Sequence, residues 1–175
     1  LRWLTIKKMH DRLQEYPTGL VAPRECLQYA GRPLGTLEDV TDHLSAILEE
    51  GESIAATVMH GDLCFSNILY DHFSDSVRVF APRGSIDGET TIFGDIRYDI
   101  AKLNHSIVGR YDQIIAGHAH ARVTGSDYLI EISNDESKVW LEEQFCASEI
   151  ASSTFSSPQV QAITITLFLS MIPLH

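Results

Sequence analysis

Hydrophobic residues near the start of the chain recur every three or four positions: Trp3, Ile6, Met9 and Leu13. This spacing places them on one face of a helix, so it predicts an amphipathic helix over residues 3–16. Residues 17–33 include prolines beside glycines, which is typical of a loop. Thr36 is then a suitable N-cap for a second helix, which Gly51 would end.

The middle of the chain changes from helical to strand-like patterning. Residues 54–59 form a short apolar run without helical period, which favours an extended segment. Two further apolar runs, Ile68–Tyr70 and Val77–Phe80, flank the polar stretch Asp71–Ser76. This arrangement predicts a β-hairpin with a loop rather than a two-residue turn.

Helical patterns return in the second half. Asp95 is placed as the N-cap of a helix that reaches Ile107, a helix is expected over residues 134–150, and Pro158 is expected in the first turn of the last helix. The apolar run from Ala162 to Leu174 is too short to span a bilayer, so it predicts a buried helix. The fold class expected is therefore α+β, mainly α, with one hairpin near the middle of a single domain over residues 1–175.

Composition narrows the class of partner. The 175 residues are 44% hydrophobic and 21% charged, as in ordinary globular proteins, and the net charge of −11 argues against nonspecific binding to nucleic acid. The acidic balance could favour a cationic substrate. Three widely spaced cysteines and no signal-peptide pattern suggest a cytoplasmic protein with free thiols, and no membrane partner is expected. Both ends look cut from a longer protein.

The stretch from His60 to Leu69, HGDLCFSNIL, contains the most informative spacing. Asp62 is followed five residues later by Asn67, directly before the first strand of the hairpin. Transfer of a phosphoryl group to a hydroxyl needs a carboxylate that orients the hydroxyl proton and an oxygen ligand for magnesium nearby. A short loop at one end of a hairpin can hold both. An Asx-turn is the alternative use of Asp62.

The same stretch resembles the catalytic loop of aminoglycoside phosphotransferases, choline kinases and their relatives, which share the protein-kinase fold. The segment from Gly94 to Leu103, GDIRYDIAKL, resembles the downstream helix of that family. The resemblance implies the large C-terminal lobe of a kinase-like fold, with Asp62 as catalytic base and Asn67 as a metal ligand. It also implies that His60 and Asp99 support the loop, Asp99 by accepting its backbone N–H groups.

One metal ligand of this family is ambiguous. A loop centred between Ser74 and Asp75 would put Asn67 opposite Ala81, where relatives resemble Ile-Asp-Pro-Arg-Gly, so that Ala81 would replace a metal-binding aspartate. In a second alignment Asp87, in Ile86-Asp87-Gly88-Glu89, is the ligand and the site is complete. The two alignments remain open at this point.

A second departure concerns the nucleotide lobe. The sequence contains no glycine-rich phosphate loop, and Leu4–Lys7, which superficially resembles a lysine-bearing strand, has a helical pattern, so Lys7 is expected on a solvated face. We therefore expect a C-terminal lobe without its N-terminal nucleotide lobe.

The function expected is magnesium-dependent transfer of the ATP γ-phosphate to a small-molecule hydroxyl of an aminoglycoside, a choline-like alcohol or a sugar. The alternative is a catalytically impaired binding module whose metal site has decayed at Ala81. His118 and His120 form a His-x-His pair without an obvious third ligand, and we expect them near the acceptor pocket rather than at a metal.

Overall fold

The computed structural model describes residues 1–15, 26–124, 127–133 and 136–172, which include helices and strands in mixed order. A π-helical segment, Trp3–Lys7, continues directly into the first α-helix. The α-helices are α1 (Lys8–Gln14), α2 (Leu37–Glu50), α3 (Ile96–Ile107), α4 (Tyr111–Ile115), α5 (Glu136–Ala147) and α6 (Pro158–Met171). The strands are β1 (Leu27–Tyr29), β2 (Arg32–Gly35), β3 (Thr57–Val58), β4 (Ile68–Asp71), β5 (Ser76–Val79), β6 (Ser85–Ile86), β7 (Glu89–Thr90), β8 (Phe93–Gly94), β9 (Ala119–Thr124), β10 (Asp127–Ile132), β11 (Glu149–Ile150) and β12 (Ser153–Thr154).

Helix α6 lies at the centre of the hydrophobic core and packs against α1, α2 and α3. Its residues Val160, Ala162, Ile163 and Leu167 are buried. Each large aliphatic side chain buried in this way contributes roughly 1.5–3 kcal/mol to folding. The last apolar run of the sequence is therefore a core helix, as its pattern predicts. The predicted end of that run, Pro173 and Leu174, lies outside the described residues.

Three helices start at the residues that the sequence predicts. The Thr36 side chain accepts the N–H of Asp39, and the Asp39 carboxylate accepts the N–H of Thr36 in return. Asp95 accepts the N–H of Arg97 at the start of α3, and Pro158 occupies the first position of α6. The caps of α2 and α3 satisfy N–H groups that a helix leaves unpaired, whereas α6 has no side-chain cap and begins with a proline that has no N–H to satisfy. The predicted starts of all three helices are confirmed.

The strands of the described segments pair two at a time, always antiparallel. The α+β class is confirmed, but the expectation of a single hairpin is wrong. The hairpin β1–β2 lies partly within the segment predicted as a loop, and β9–β10 is a longer hairpin. Ala30 and Gly31, both at positive φ, form the turn of β1–β2, which is the backbone conformation of a tight hairpin turn.

One predicted boundary needs correction, and two others lie outside the described residues. The helix expected over residues 134–150 is α5, which ends at Ala147, and Glu149 and Ile150 instead form a strand. Residues 134 and 135 lie outside the described residues, as do residues 16–25, which include the predicted end of the first helix. Within the described residues, none of the helices combines the length and the hydropathy required to cross a membrane.

Candidate functional site

The loop that follows β3 begins with a turn at Gly61. Gly61 has φ +76°, a left-handed conformation that side chains disfavour. A Cβ atom at this position would lie 2.8 Å from Cβ of Arg83. Both the backbone angle and the close approach of Arg83 therefore require glycine between His60 and Asp62.

Asp99 holds this turn from beneath. Its Oδ2 accepts the backbone N–H of His60 at 2.7 Å, and its Oδ1 accepts the N–H of Gly61 at 2.8 Å. Asp99 is only 4% exposed, so these hydrogen bonds are formed away from water. Hydrogen bonds to an ionised acceptor are stronger than those between neutral groups. The carboxylate on α3 thus fixes the backbone that leads into Asp62.

Asp62 and Asn67 meet across the loop. The side-chain Nδ2 of Asn67 donates to the backbone oxygen of Asp62 at 2.8 Å and to its carboxylate Oδ2 at 3.1 Å. Both residues are only partly buried, so neither is sequestered in the core. Because the amide nitrogen faces Asp62, the amide oxygen Oδ1 is left to accept other contacts. The two side chains that the sequence interpretation paired therefore lie on one side of the loop.

Lys102 forms an ion pair with the second oxygen of Asp62, at 2.8 Å between Nζ and Oδ1. The Lys102 side chain is 14% exposed and that of Asp62 is 37% exposed. Burial alone would raise the pKa of Asp62, but the hydrogen bond and charge of Lys102, with further help from Arg83, lower it below its ordinary value. Asp62 is therefore ionised at neutral pH.

Lys102 was missed by the sequence interpretation although a signal was present. It lies three residues after Asp99 on α3, and residues three apart share a helix face. Once Asp99 is placed beneath the loop, Lys102 must point to the same side. Burial would lower the pKa of Lys102, but the hydrogen bond and charge of Asp62 raise it, consistent with the ion pair seen from the other partner.

Arg83 and His60 tie the loop to the segment after the hairpin. Arg83 donates its Nε–H to the carbonyl of Gly61 at 2.9 Å, and its backbone N–H to the carbonyl of His60 at 2.9 Å. His60 Nε2 lies 2.9 Å from the carbonyl of Phe80, and its Nδ1 lies 3.2 Å from the N–H of Asp62. In the Nε2–H tautomer, Nε2 donates to Phe80 and Nδ1 accepts from Asp62, so His60 connects the loop to the end of β5.

The hairpin β4–β5 pairs one residue away from the predicted register. Ile68 pairs with Val79, and the N–H of Phe80 donates to the carbonyl of Asn67 at 3.1 Å. Asn67 thus lies opposite Phe80, and the prediction that it lies opposite Ala81 is wrong. Ala81 is the next residue, at φ +54°, a conformation that aspartate and asparagine tolerate better than alanine does.

Asp87 has a different environment. It is the first of the two residues that join β6 to β7, at φ +52°, and Gly88 follows at φ +81°. These are the angles of a two-residue hairpin turn, in which Asp-Gly is favoured. Its charge acts on Lys7, whose pKa is raised mainly by its hydrogen bond to Asp11. Lys7 lies on an exposed face, as predicted.

The metal ligands that the resemblance implies are only partly matched. Asn67 fits, because its amide oxygen is available. Among the contacts between described residues, none brings Asp87 to Asn67, and no three His, Cys, Asp or Glu side chains in those segments cluster around a potential metal position. Magnesium is usually held by one or two carboxylates together with substrate phosphates. The residues that meet at Asn67 therefore supply one clear ligand, which falls short of a complete site.

His118 and His120 lie at the start of the hairpin β9–β10. The N–H of His118 donates to the carbonyl of Gln113 in α4, and His120 pairs with Glu131 across the strands. The pair therefore belongs to a hairpin edge, and its predicted place beside an acceptor remains a prediction.

Lys8 lies in the first turn of α1 and was also missed by the sequence interpretation, since only tertiary packing places it here. It is partly buried and has no hydrogen bond or ion pair among the described residues. Burial, followed by the charges of Arg83, Arg12 and Lys102, lowers its pKa to about 8, while the charge of Asp62 opposes the shift. Two of these cations, Arg83 and Lys102, also act on Asp62.

His105 is a buried titratable group on α3, one turn after Lys102. It is 1% exposed, and neither ring nitrogen has a hydrogen-bond partner in the described segments. Its ring centroid lies 4.2 Å from those of Tyr111 and Phe168. Burial, and to a lesser extent the charge of Lys102, lowers its pKa to about 3. His105 is therefore neutral at physiological pH.

We predict that His105→Phe reduces the acid sensitivity of the fold. The folded pKa of about 3 lies below the ordinary histidine pKa of 6.5, so the unfolded chain binds the extra proton, and stability is lost as pH falls from about 6.5 toward 3. This contribution amounts to roughly 3 kcal/mol by pH 4. Urea unfolding of His105→Phe at pH 7 and pH 4 should show a smaller difference than in the natural chain. The exposed His43→Phe should match the natural chain, and an equal acid loss in both variants would contradict this account.

Comparisons with known proteins identify no relative. No protein-family model matches the chain, and neither the curated proteins nor the solved structures include a match.

Proposed function

We propose that this chain transfers the γ-phosphoryl group of ATP to the hydroxyl of a small molecule, as the C-terminal lobe of a kinase-like enzyme whose nucleotide lobe is separate from these residues. The observation that supports this best is the meeting of Asp62 and Asn67 on a loop braced by Asp99. An exposed carboxylate on a rigid backbone, beside an amide with a free oxygen, is the arrangement that in-line phosphoryl transfer needs.

Asp62 is the proposed catalytic base. Its carboxylate is ionised, and the acceptor hydroxyl would donate a hydrogen bond to it. As the hydroxyl oxygen forms a bond to the γ-phosphorus, the bond from that phosphorus to the β–γ bridging oxygen breaks, the hydroxyl proton passes to Asp62, and ADP leaves. Because its pKa is lowered, Asp62 would chiefly orient the hydroxyl and accept its proton late.

Lys102 would keep Asp62 in position for this task. The ion pair occupies Oδ1, and Asn67 donates to Oδ2. The carboxylate is therefore fixed in orientation by two donors, while 37% of the Asp62 side chain remains exposed. This is preorganisation by neighbouring side chains, which places the base without further rearrangement when the acceptor binds.

Magnesium, when bound with ATP, would neutralise the charge of the phosphates. Asn67 is the ligand that the local geometry supports, and Asp87 is proposed as the second only by sequence alignment. Because Asp62 is the only carboxylate among the described residues that contacts Asn67, no step above is assigned to the metal.

The alternative is a binding module without turnover. It is favoured by one observation, the place of Ala81 directly after Phe80, which pairs with Asn67 and contacts His60. A carboxylate at residue 81 would lie at the site, and alanine supplies none. In that case the contacts of Asp62 with Asn67 and Lys102 remain and the metal position is lost.

The two functions can be separated by metal dependence. We expect the complete protein to transfer label from γ-labelled ATP to a hydroxyl compound in the presence of magnesium. If Asp87 is a ligand, Asp87→Asn should abolish the magnesium-dependent thermal shift with a non-hydrolysable ATP analogue. The matched control is Asp75→Asn, another turn aspartate at positive φ.

The opposite outcome is equally specific. If the natural protein transfers no label and shows no magnesium dependence, but Ala81→Asp gains both, the kinase proposal is wrong for the natural chain and the binding module is supported. The left-handed backbone at residue 81 should accept aspartate without loss of stability.

A further inference from the structure

A cavity with a volume of about 390 Å³ lies between α4 and the end of α6. Its lining consists of uncharged side chains, of which two are aromatic, three are branched aliphatic and one is a thioether: Tyr111, Ile114, Ile115, Phe168, Met171 and Ile172. Ile114 and Ile115 are 37% and 49% exposed. The five-residue helix α4 thus presents two isoleucines to a concave apolar surface, which a bound molecule would cover.

Contacts from neighbouring segments fix the aromatic wall of this cavity. The ring centroid of His105 lies 4.2 Å from that of Tyr111 and 4.2 Å from that of Phe168, so the buried imidazole packs against both lining rings. Gly109 makes room for Phe168, since a Cβ atom on this glycine would lie 2.6 Å from Cζ of Phe168. The two rings are therefore positioned before a ligand binds, which reduces the entropic cost of binding.

The thioether of Met171 is also held by a contact. Nη1 of Arg12 lies 3.7 Å from Sδ of Met171 and donates to the carbonyl of Ser170 at 2.9 Å. Thioether sulfur makes favourable contacts with aromatic rings. Aromatic rings also pair favourably with one another when they are offset or edge to face. Two aromatic side chains and one thioether in the lining therefore favour an aromatic ligand over a saturated one of the same size.

The size of the cavity favours a small molecule over a protein partner. Sites for small molecules have volumes of roughly 300–1,000 Å³. An engineered cavity of about 150 Å³ binds benzene, so about 390 Å³ leaves room for two fused rings. A stable protein interface involves about 20–30 residues on each side, whereas six residues line this cavity.

We propose that the cavity between α4 and α6 binds an aromatic compound of one or two rings. The rings of the ligand would pack against Tyr111, Phe168 and the sulfur of Met171. This site goes beyond the proposed function, because its lining residues differ from those that hold Asp62 and Asn67.

The test is calorimetric titration of the complete protein with 2-naphthol and with its saturated counterpart, decahydro-2-naphthol. We expect 2-naphthol to bind about fivefold or more tightly than the saturated compound. Ile114→Trp places an indole in the cavity and should weaken 2-naphthol binding by roughly tenfold or more. The matched control is Ile165→Trp, which changes a 42% exposed isoleucine of α6 outside the lining and should leave binding unchanged.

A second variant tests the aromatic wall itself. Tyr111→Leu keeps an apolar side chain and removes one ring, so it should reduce the preference for 2-naphthol over decahydro-2-naphthol. Melting curves establish that each variant is folded, and Ile115→Trp replaces Ile114→Trp if the latter is not.

Four results would overturn the inference. If 2-naphthol shows no saturable binding, the cavity is not its site. Equal binding of the aromatic and saturated compounds, or an unchanged preference in Tyr111→Leu, removes the aromatic ligand class. Unchanged binding in the folded variant that fills the cavity means that 2-naphthol binds elsewhere. If sedimentation shows that the natural protein is a dimer and that this variant is a monomer, a second copy of the chain covers the cavity instead.

Discussion

Replacing Asp62 by asparagine should lower the turnover of the proposed phosphoryl transfer by about 10²–10⁴-fold, the usual contribution of a positioned general base. Asparagine preserves the size of the side chain but cannot accept the hydroxyl proton. ATP binding should change little, because Asp62 faces the acceptor. The measurement is steady-state transfer of labelled phosphate by the complete protein, alongside calorimetry with an ATP analogue.

Asp62→Asn also leaves Lys102 without its ion-pair partner. Lys102 is 14% exposed, so the unpaired ammonium group should reduce stability as well as activity. The double variant Asp62→Asn/Lys102→Met removes both charges and should recover stability without recovering turnover. If Asp62→Asn keeps natural turnover, Asp62 is not the base. If the double variant regains activity, the loss in the single variant reflects misfolding.

Replacing Asp99 by alanine should have the largest effect on stability, a loss of about 2–4 kcal/mol. The substitution leaves the N–H groups of His60 and Gly61 without an acceptor beneath a buried turn. Each unsatisfied buried N–H costs about 1–3 kcal/mol. The free energy of unfolding in urea gives the measurement. The loop should also lose its fixed shape, so turnover should fall together with stability.

Asp39→Ala is the matched control for Asp99→Ala. Asp39 also accepts a backbone N–H, that of Thr36, but in an exposed capping box where water can replace the carboxylate. Its loss should therefore lower the free energy of unfolding much less than the loss of Asp99 does. Equal losses in the two variants would contradict the view that burial makes the Asp99 contacts strong.

Local chemistry explains which parts of the fold could be predicted. Thr36, Asp95 and Pro158 mark helix starts because capping depends on neighbouring residues in the chain. The hairpin at Ile68 was also visible, but its register was off by one. Asp71 accepts the N–H groups of Phe73 and Ser74 and pairs with Ser76. The loop is therefore residues 72–75 and is centred before Ser74, whereas the prediction centred it after Ser74.

The rest of the site depends on contacts between distant segments. Asp62 and Asn67 could be paired from sequence because they share a short loop. Lys102 could have been inferred from its helical phase with Asp99. Lys8 could not have been inferred, because no local sequence pattern relates it to Asp62. Its electrostatic interaction with Asp62 depends on the packing of α1 against α6. The small hairpins were missed because strands of two or three residues are too short to show alternation.

The first α-helix, which carries Lys8 and Arg12, is short and has little stability of its own. Seven residues are too few for a helix to persist alone in water, so α1 is held by packing and by the Arg12 tether to Ser170. Detachment of α1 would withdraw the charges of Lys8 and Arg12 and leave the ion pair between Asp62 and Lys102 in place. Local unfolding of α1 would therefore reduce the positive charge close to Arg83 and Lys102.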